Sequence, residues 1–153
     1  MSSTQKITPF LWFDKEAGQA VEFYLSIFKN SKIISRNDVS DTPSGDVQIY
    51  KIELMGQPFS LMNAGPLFKF NEAISFVIEC ENQEEVDYYW NSLTAQGGKP
   101  GQCGWLKDPF GVSWQVVPQG LGELIVNDKT DQVFQAMLKM SKIIIADLEK
   151  IKA

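Results

Sequence analysis

The sequence predicts an α+β fold made of two copies of a strand–helix–strands unit, followed by a helical tail. Three observations carry this expectation. The same order of patterns, an apolar strand, an amphipathic helix and then further strands, occurs twice along the 153 residues. The two halves also match in letters. Ala20-Val21-Glu22-Phe23-Tyr24 parallels Glu85-Val86-Asp87-Tyr88-Tyr89, and Gly56-Gln57-Pro58-Phe59-Ser60-Leu61-Met62 parallels Gly111-Val112-Ser113-Trp114-Gln115-Val116-Val117. Both matches fall in the same order, the mark of an internal repeat. Third, the tail resembles neither half, and one apolar stripe runs along it.

In the first repeat, about residues 7–63, Ile7 to Phe13 reads as a strand. Asp14 is a candidate N-cap for a helix carrying Ala17, Ala20, Val21, Tyr24 and Phe28 and stopping near Asn30. Ile33-Ile34 opens a second strand, and Asp38 to Asp46 reads as a turn-rich break around Pro43-Ser44-Gly45. Residues 47–55 alternate, with Tyr50, Ile52 and Leu54 on one face. Gly56-Gln57-Pro58 then reverses the chain into a fourth strand, Phe59 to Met62.

In the second repeat, about residues 73–118, Ala73 to Cys80 is a strand with Ile74, Phe76 and Ile78 on its apolar face. Asn82 caps a helix that Gly97-Gly98 ends. Gln102 to Lys107 and Val112 to Val117 are strands joined by the Asp108-Pro109-Phe110-Gly111 turn. The tail, about residues 128–152, places Val133, Met137, Met140, Ile144, Leu148 and Ile151 on one helical face. Such a stripe needs a cover, either the domain's own sheet or a second copy of the chain. The whole is expected to be a single domain, 1–153, of a size that buries roughly 70% of its unfolded surface.

Composition narrows the function classes. Apolar residues make up 44% and charged residues 22%, a globular balance. Net charge is −5, which argues against a nucleic-acid partner, because phosphates require clustered Lys and Arg. No stretch approaches the ~20 apolar residues of a membrane span, so no membrane partner is expected. The opening residues lack an apolar signal core. Cys80 and Cys103 form no disulfide framework, so a cytoplasmic location is the expectation. Histidine is absent altogether. That removes Ser-His-Asp and Cys-His nucleophile systems and the commonest metal ligand, leaving only oxygen donors suited to magnesium or calcium.

Three segments carry a family resemblance: Ile7-Thr8-Pro9-Phe10-Leu11-Trp12-Phe13, Phe68-Lys69-Phe70-Asn71-Glu72-Ala73-Ile74-Ser75-Phe76, and Gln102 through Gln115 with its Asp108-Pro109-Phe110-Gly111 turn. In these the chain resembles the vicinal oxygen chelate superfamily, which includes glyoxalases and bleomycin- and fosfomycin-resistance proteins. Within it, the chain is similar to the PhnB-like branch, often labelled a demethylubiquinone methyltransferase domain. The resemblance implies two βαβββ-type repeats forming a curved, cup-shaped mixed sheet, plus a C-terminal helix. It implies a homodimer as well. The branch pattern favours histidine where this chain has Leu67.

In metal-using relatives the ligands project into the cup from the first and last strand of each half. Carried over, those positions are Ile7 or Pro9 with Ser60, and Ala73 with Gln115. Isoleucine and alanine offer no donor, and a lone neutral amide does not hold a divalent ion against water. No protein-bound metal is therefore expected. No Gly-rich strand-to-helix turn is present to cradle an adenosyl cofactor, and no cofactor is assigned.

The candidate ligand-binding residues are Gln115, Ser75, Glu79, Trp105 and Phe70, and the catalytic residues are unassigned. All but Ser75 have a structural reading beside the functional one. Gln115 also suits a satisfied structural amide, Glu79 an exposed edge carboxylate, and the aromatic residues the core. Cys103 reads as a small buried hydrophobe rather than a reactive thiol. The expected function is binding of a small apolar or aromatic metabolite in a metal-free cup. The alternatives are the methyltransferase activity of the branch's label and non-catalytic sequestration of a drug or metabolite.

Overall fold

The computed structural model describes residues 5–152. It divides into two compact units, with the boundary between Phe70 and Asn71. The first unit holds β1 (Phe10–Phe13), α1 (Ala17–Ile27), β2 (Lys32–Thr42), β3 (Gly45–Leu54) and β4 (Gln57–Asn63). The second holds β5 (Phe76–Cys80), α2 (Gln83–Thr94), β6 (Lys99–Pro100), β7 (Trp105–Lys107) and β8 (Ser113–Pro118). It continues into α3 (Leu121–Asn127), α4 (Gln132–Leu138) and α5 (Ile145–Lys152).

The repeat is realised as two sheets of identical topology, β1-β4-β3-β2 and β5-β8-β7-β6. In each, the first and last strands pair in parallel, and the remaining pairs are antiparallel. Period-two alternation sets the faces. Tyr50, Ile52 and Leu54 of β3 and Phe59 and Leu61 of β4 are buried, as are Ala17, Ala20, Val21, Tyr24 and Ile27 of α1, which packs on these strands. In the second unit Ile78, Cys80, Leu106, Trp114 and Val116 are buried, with Val86, Tyr89, Trp90 and Leu93 of α2. Close backbone approach demands glycine at Gly98 and Gly104, among others. A Cβ on Gly98 would lie 2.3 Å from the Leu93 carbonyl oxygen, and one on Gly104, at φ +82°, would lie 2.8 Å from that of Val116.

Several expectations about elements are corrected. Asp14 does not cap α1. Glu16 occupies the N-cap position, and the free Ala17 N–H donates instead to Asn63 Oδ1 at 2.6 Å, so the cap comes from β4. Asn82 does cap α2, accepting from the Glu85 N–H at 2.9 Å. The supposed break at Asp38–Asp46 is mostly strand, since β2 pairs with β3 from Lys32 to Thr42 and only Pro43-Ser44 turn. β2 is an edge strand exposed along nearly its whole length, so beyond Ile33-Ile34 it has no buried face to demand apolar residues, and its end from Asp38 reads as a break.

The tail forms three short helices that start at Leu121, earlier than the expected residue 128. Asp128 ends the first, accepting from the Thr130 hydroxyl and N–H and from the Val133 N–H. Residues 140–141 then dock on the loop before β7: Cys103 N–H donates to the Met140 carbonyl, and Gly104 N–H to that of Ser141. The stripe folds inward upon itself. Val133, Ile143, Leu148 and Leu121 form a buried cluster against which Met137, Met140 and Ile151 pack.

Candidate functional site

On the second sheet, β8 turns Ser113, Gln115 and Val117 to the face opposite Trp114 and Val116. The strand register aligns Val77, Gln115 and Trp105 in one cross-strand row, and Ser113, Lys107 and Lys99 in the next. A cavity of about 590 Å³ opens on this part of the unit, lined among others by Glu72, Lys99, Pro100, Trp105, Lys107 and Ser113. Its volume lies in the range of small-molecule sites.

The polar groups here are arranged unevenly. The Lys107 ammonium pairs with the Glu72 carboxylate. That hydrogen bond holds the Glu72 carboxyl below its ordinary pKa, so the pair stays ionised. Gln115 Nε2 donates to Ser75 Oγ at 2.9 Å. Ser113 is only 2% exposed, and its hydroxyl is the one buried side-chain polar atom among the described residues with no hydrogen-bond partner.

The five candidate residues are distributed as follows. Trp105 lines the cavity. Gln115 and Ser75 are joined to each other beside Trp105 on the same face, and Ser75 rather than Ala73 meets the Gln115 amide. Glu79 is exposed, one step further along β5 opposite Val117. Phe70 belongs to the first unit, where its ring meets Phe13 edge-on at 5.1 Å. Lys99, Lys107 and Ser113, which also line the cavity, were not among the residues expected from the sequence. For Lys107 and Ser113 the signal was alternation with the buried Leu106 and Trp114 on short strands.

Asp108 was read only as a turn residue, yet it organises this region. It is 3% exposed, and Oδ1 accepts from the Phe110 N–H at 2.8 Å and the Val112 N–H at 3.1 Å. Oδ2 accepts from Trp114 Nε1 at 2.9 Å. The carboxylate thereby ties the turn to the core and sets where β8 begins, and with it the position of Ser113. Trp114 is a core residue, packed at 5.4 Å from the Phe76 ring.

The donor set does not fit a divalent metal. Ile7 is 84% exposed and precedes β1, Ala73 precedes β5, and Gln115 is the sole amide or carboxylate among the carried-over positions. The described residues contain no group of three or more Cys, Asp or Glu side chains that could hold an ion. An adenosyl cofactor fits no better: the turns Asp14–Glu16 and Glu81–Asn82 hold no glycine, and Gln119–Gly120, which leads from β8 into the seven-residue α3, holds a single one rather than a glycine-rich loop. Cys80 is buried and its thiol is pushed up to about 12, chiefly by burial and secondly by the Glu85 charge, so it is no nucleophile. No helix among the described residues is long and apolar enough to cross a membrane.

Residues 5–117 match the 3-demethylubiquinone-9 3-methyltransferase family. Among solved structures, the chain is similar to a PhnB protein from Bacillus cereus at 32% identity and TM-score 0.66, covering 74% of this chain and 99% of that one. A protein from Pseudomonas aeruginosa aligns at 19% identity and TM-score 0.59, over 75% of this chain and 98% of that one. The fosfomycin resistance protein FosX from Listeria monocytogenes aligns at 17% identity and TM-score 0.58, over 78% and 95% respectively, and shares the fold. No curated protein matches the chain in sequence. With two βαβββ units of one topology and a family match across nearly all of both, the chain belongs to the PhnB-like 3-demethylubiquinone-9 3-methyltransferase family of glyoxalase-fold proteins.

Proposed function

We propose that this protein binds a small apolar or aromatic metabolite in the cavity of its second unit, without a resident metal. The carrying observation is the cavity itself: an indole wall at Trp105 and apolar Pro100 and Leu106, beside the Gln115–Ser75 amide–hydroxyl pair. Aromatic walls with a few convergent polar groups are the usual make-up of a ligand site. Methyl transfer has the family's name in its favour, and the lack of a glycine-rich strand-to-helix loop counts against it. Non-catalytic sequestration uses the same cavity and differs only in that no bond is broken.

Thermal stabilisation across a panel of aromatic metabolites and S-adenosylmethionine tests this. A ligand at a hundred times its Kd adds ~2.7 kcal/mol of stability. Aromatic compounds are expected to stabilise the wild type and to lose that effect in Trp105→Ala. Stabilisation by S-adenosylmethionine alone would move the assignment to methyl transfer, and no response to any aromatic compound would refute the binding reading.

We extend the reading to a single-domain cytoplasmic homodimer. The cytoplasmic assignment is supported by two free thiols. Dimerisation is supported by β2, an edge strand of 11 residues with Ile33, Ile34 and Val39 each more than two-fifths exposed. In the tail stripe Val133 and Leu148 are buried within the unit, while Met137, Met140, Ile144 and Ile151 keep part of their surface for such an interface. Light scattering at low micromolar concentration should give twice the chain mass of 17.2 kDa, and a monomer there would end the dimer assignment.

A further inference from the structure

We propose that the cavity of the second unit takes an aromatic carboxylate, its ring against Trp105 and its carboxylate held between Lys99 and the Ser113 hydroxyl. This rests on the reading that the cavity binds a small apolar or aromatic molecule, and it adds the ligand's charge and the two groups that recognise it.

A hydroxyl taken out of water without a partner carries an uncompensated desolvation penalty, and native proteins rarely leave one. Ser113 is 2% exposed and its Oγ has no partner, while its side chain leaves β8 on the face shared by Trp105 and Lys107. A donor in that position calls for an oxygen acceptor supplied from the cavity. Charge then selects the acceptor. Lys107 is already neutralised by Glu72. Lys99, directly across the β6–β7 ladder from Lys107, has no ion pair among the described residues. The walls therefore present one uncompensated positive charge, which suits a monoanion better than a phosphate dianion and repels an ammonium.

Reach is consistent with this. Ser113 and Lys99 lie two strands apart in the same row, two interstrand steps of ~4.8 Å. A lysine arm and a carboxylate span that gap together. Between them, the Trp105 indole supplies the surface on which a flat ring stacks.

The experiment is calorimetric titration at pH 7 with two probes of equal shape, 2-naphthoate and the neutral 2-naphthalenemethanol. Naphthoate is expected to bind roughly ten-fold tighter, the size of one hydrogen bond to a charged group. Lys99→Gln should abolish that preference, bringing the two Kd values together. Ser113→Ala should weaken naphthoate about five-fold without lowering the melting temperature of the free protein, because the hydroxyl it removes has no partner to lose. If the alcohol binds and naphthoate binds no better, the anion assignment fails while the aromatic cavity stands. If neither probe binds at millimolar concentration, both readings fail. A Ser113→Ala protein that melts several degrees lower yet keeps its naphthoate affinity would make the hydroxyl structural and overturn its role here.

Discussion

Replacing Asp108 by asparagine changes one oxygen for an NH₂ group and almost no volume, so its effect reads the hydrogen bonds directly. The carboxylate accepts from two backbone N–H groups through Oδ1 and from the Trp114 indole through Oδ2, and the residue is 3% exposed. Asparagine has a single acceptor. If its oxygen keeps the Phe110 and Val112 N–H groups, its NH₂ faces the indole N–H, donor against donor. One charge-assisted bond is then lost with its donor left buried, and two others become neutral. At about 1.5–3 kcal/mol for a hydrogen bond to a charged group, the sum is a destabilisation of about 2–4 kcal/mol. For a chain of this length each kcal/mol lowers the melting temperature by ~2–4 °C, so a fall of roughly 5–15 °C is expected. Trp114→Phe removes the indole donor but leaves the ring, and the double variant relieves the donor–donor contact. The two substitutions should therefore be less than additive in urea denaturation at unchanged slope. Asp108→Asn within about 0.5 kcal/mol of wild type, or strict additivity, would refute the claim that this carboxylate pins the start of β8.

Leu148→Ala, at 2% exposure in the tail's buried cluster, should destabilise by about 2–5 kcal/mol, and an effect below that range would mean the three terminal helices are not packed as described. Cys80 has its pKa raised to about 12 by burial and by Glu85, so its contribution to stability is full below the ordinary thiol value of 9.0 and is lost as pH rises from there to about 12. The gap in denaturation midpoint between wild type and Cys80→Ala should shrink across that window, and a constant gap would show that the thiol is not held neutral by the fold. Gln115→Glu should restore a carboxylate without restoring metal affinity, because the companion positions Ile7 and Ala73 offer no donor atom; micromolar binding of nickel or zinc by that variant would overturn the assignment of the ligand positions.

The amino-acid sequence by itself determined the architecture, because the signals for it are local. Alternation in residues 47–55, the Asn82 cap and the Asp-Pro-Phe-Gly turn are each legible within a few residues, and writing them twice specifies two sheets of one topology. Elements without a buried face were misread for the same reason. The Ile33-Ile34 start of β2 was legible, but its far end, Asp38 to Thr42, has no buried face and so no alternation to extend the strand. The tail's stripe was visible as spacing, but whether it lies straight or folds on itself was decided by Asp128 and by the docking of residues 140–141 on the Cys103–Gly104 loop. The candidate site belonged to the tertiary structure almost entirely. Gln115 meets Ser75 across 40 positions, and Lys107 meets Glu72 across 35. Register across parallel and antiparallel strands brings Ser113, Lys107 and Lys99 into one row. That Ser113 is left without a partner is a property of everything packed around it. Hydrogen bonding and burial at such a point depend on contacts distant in sequence, and no local pattern encodes them.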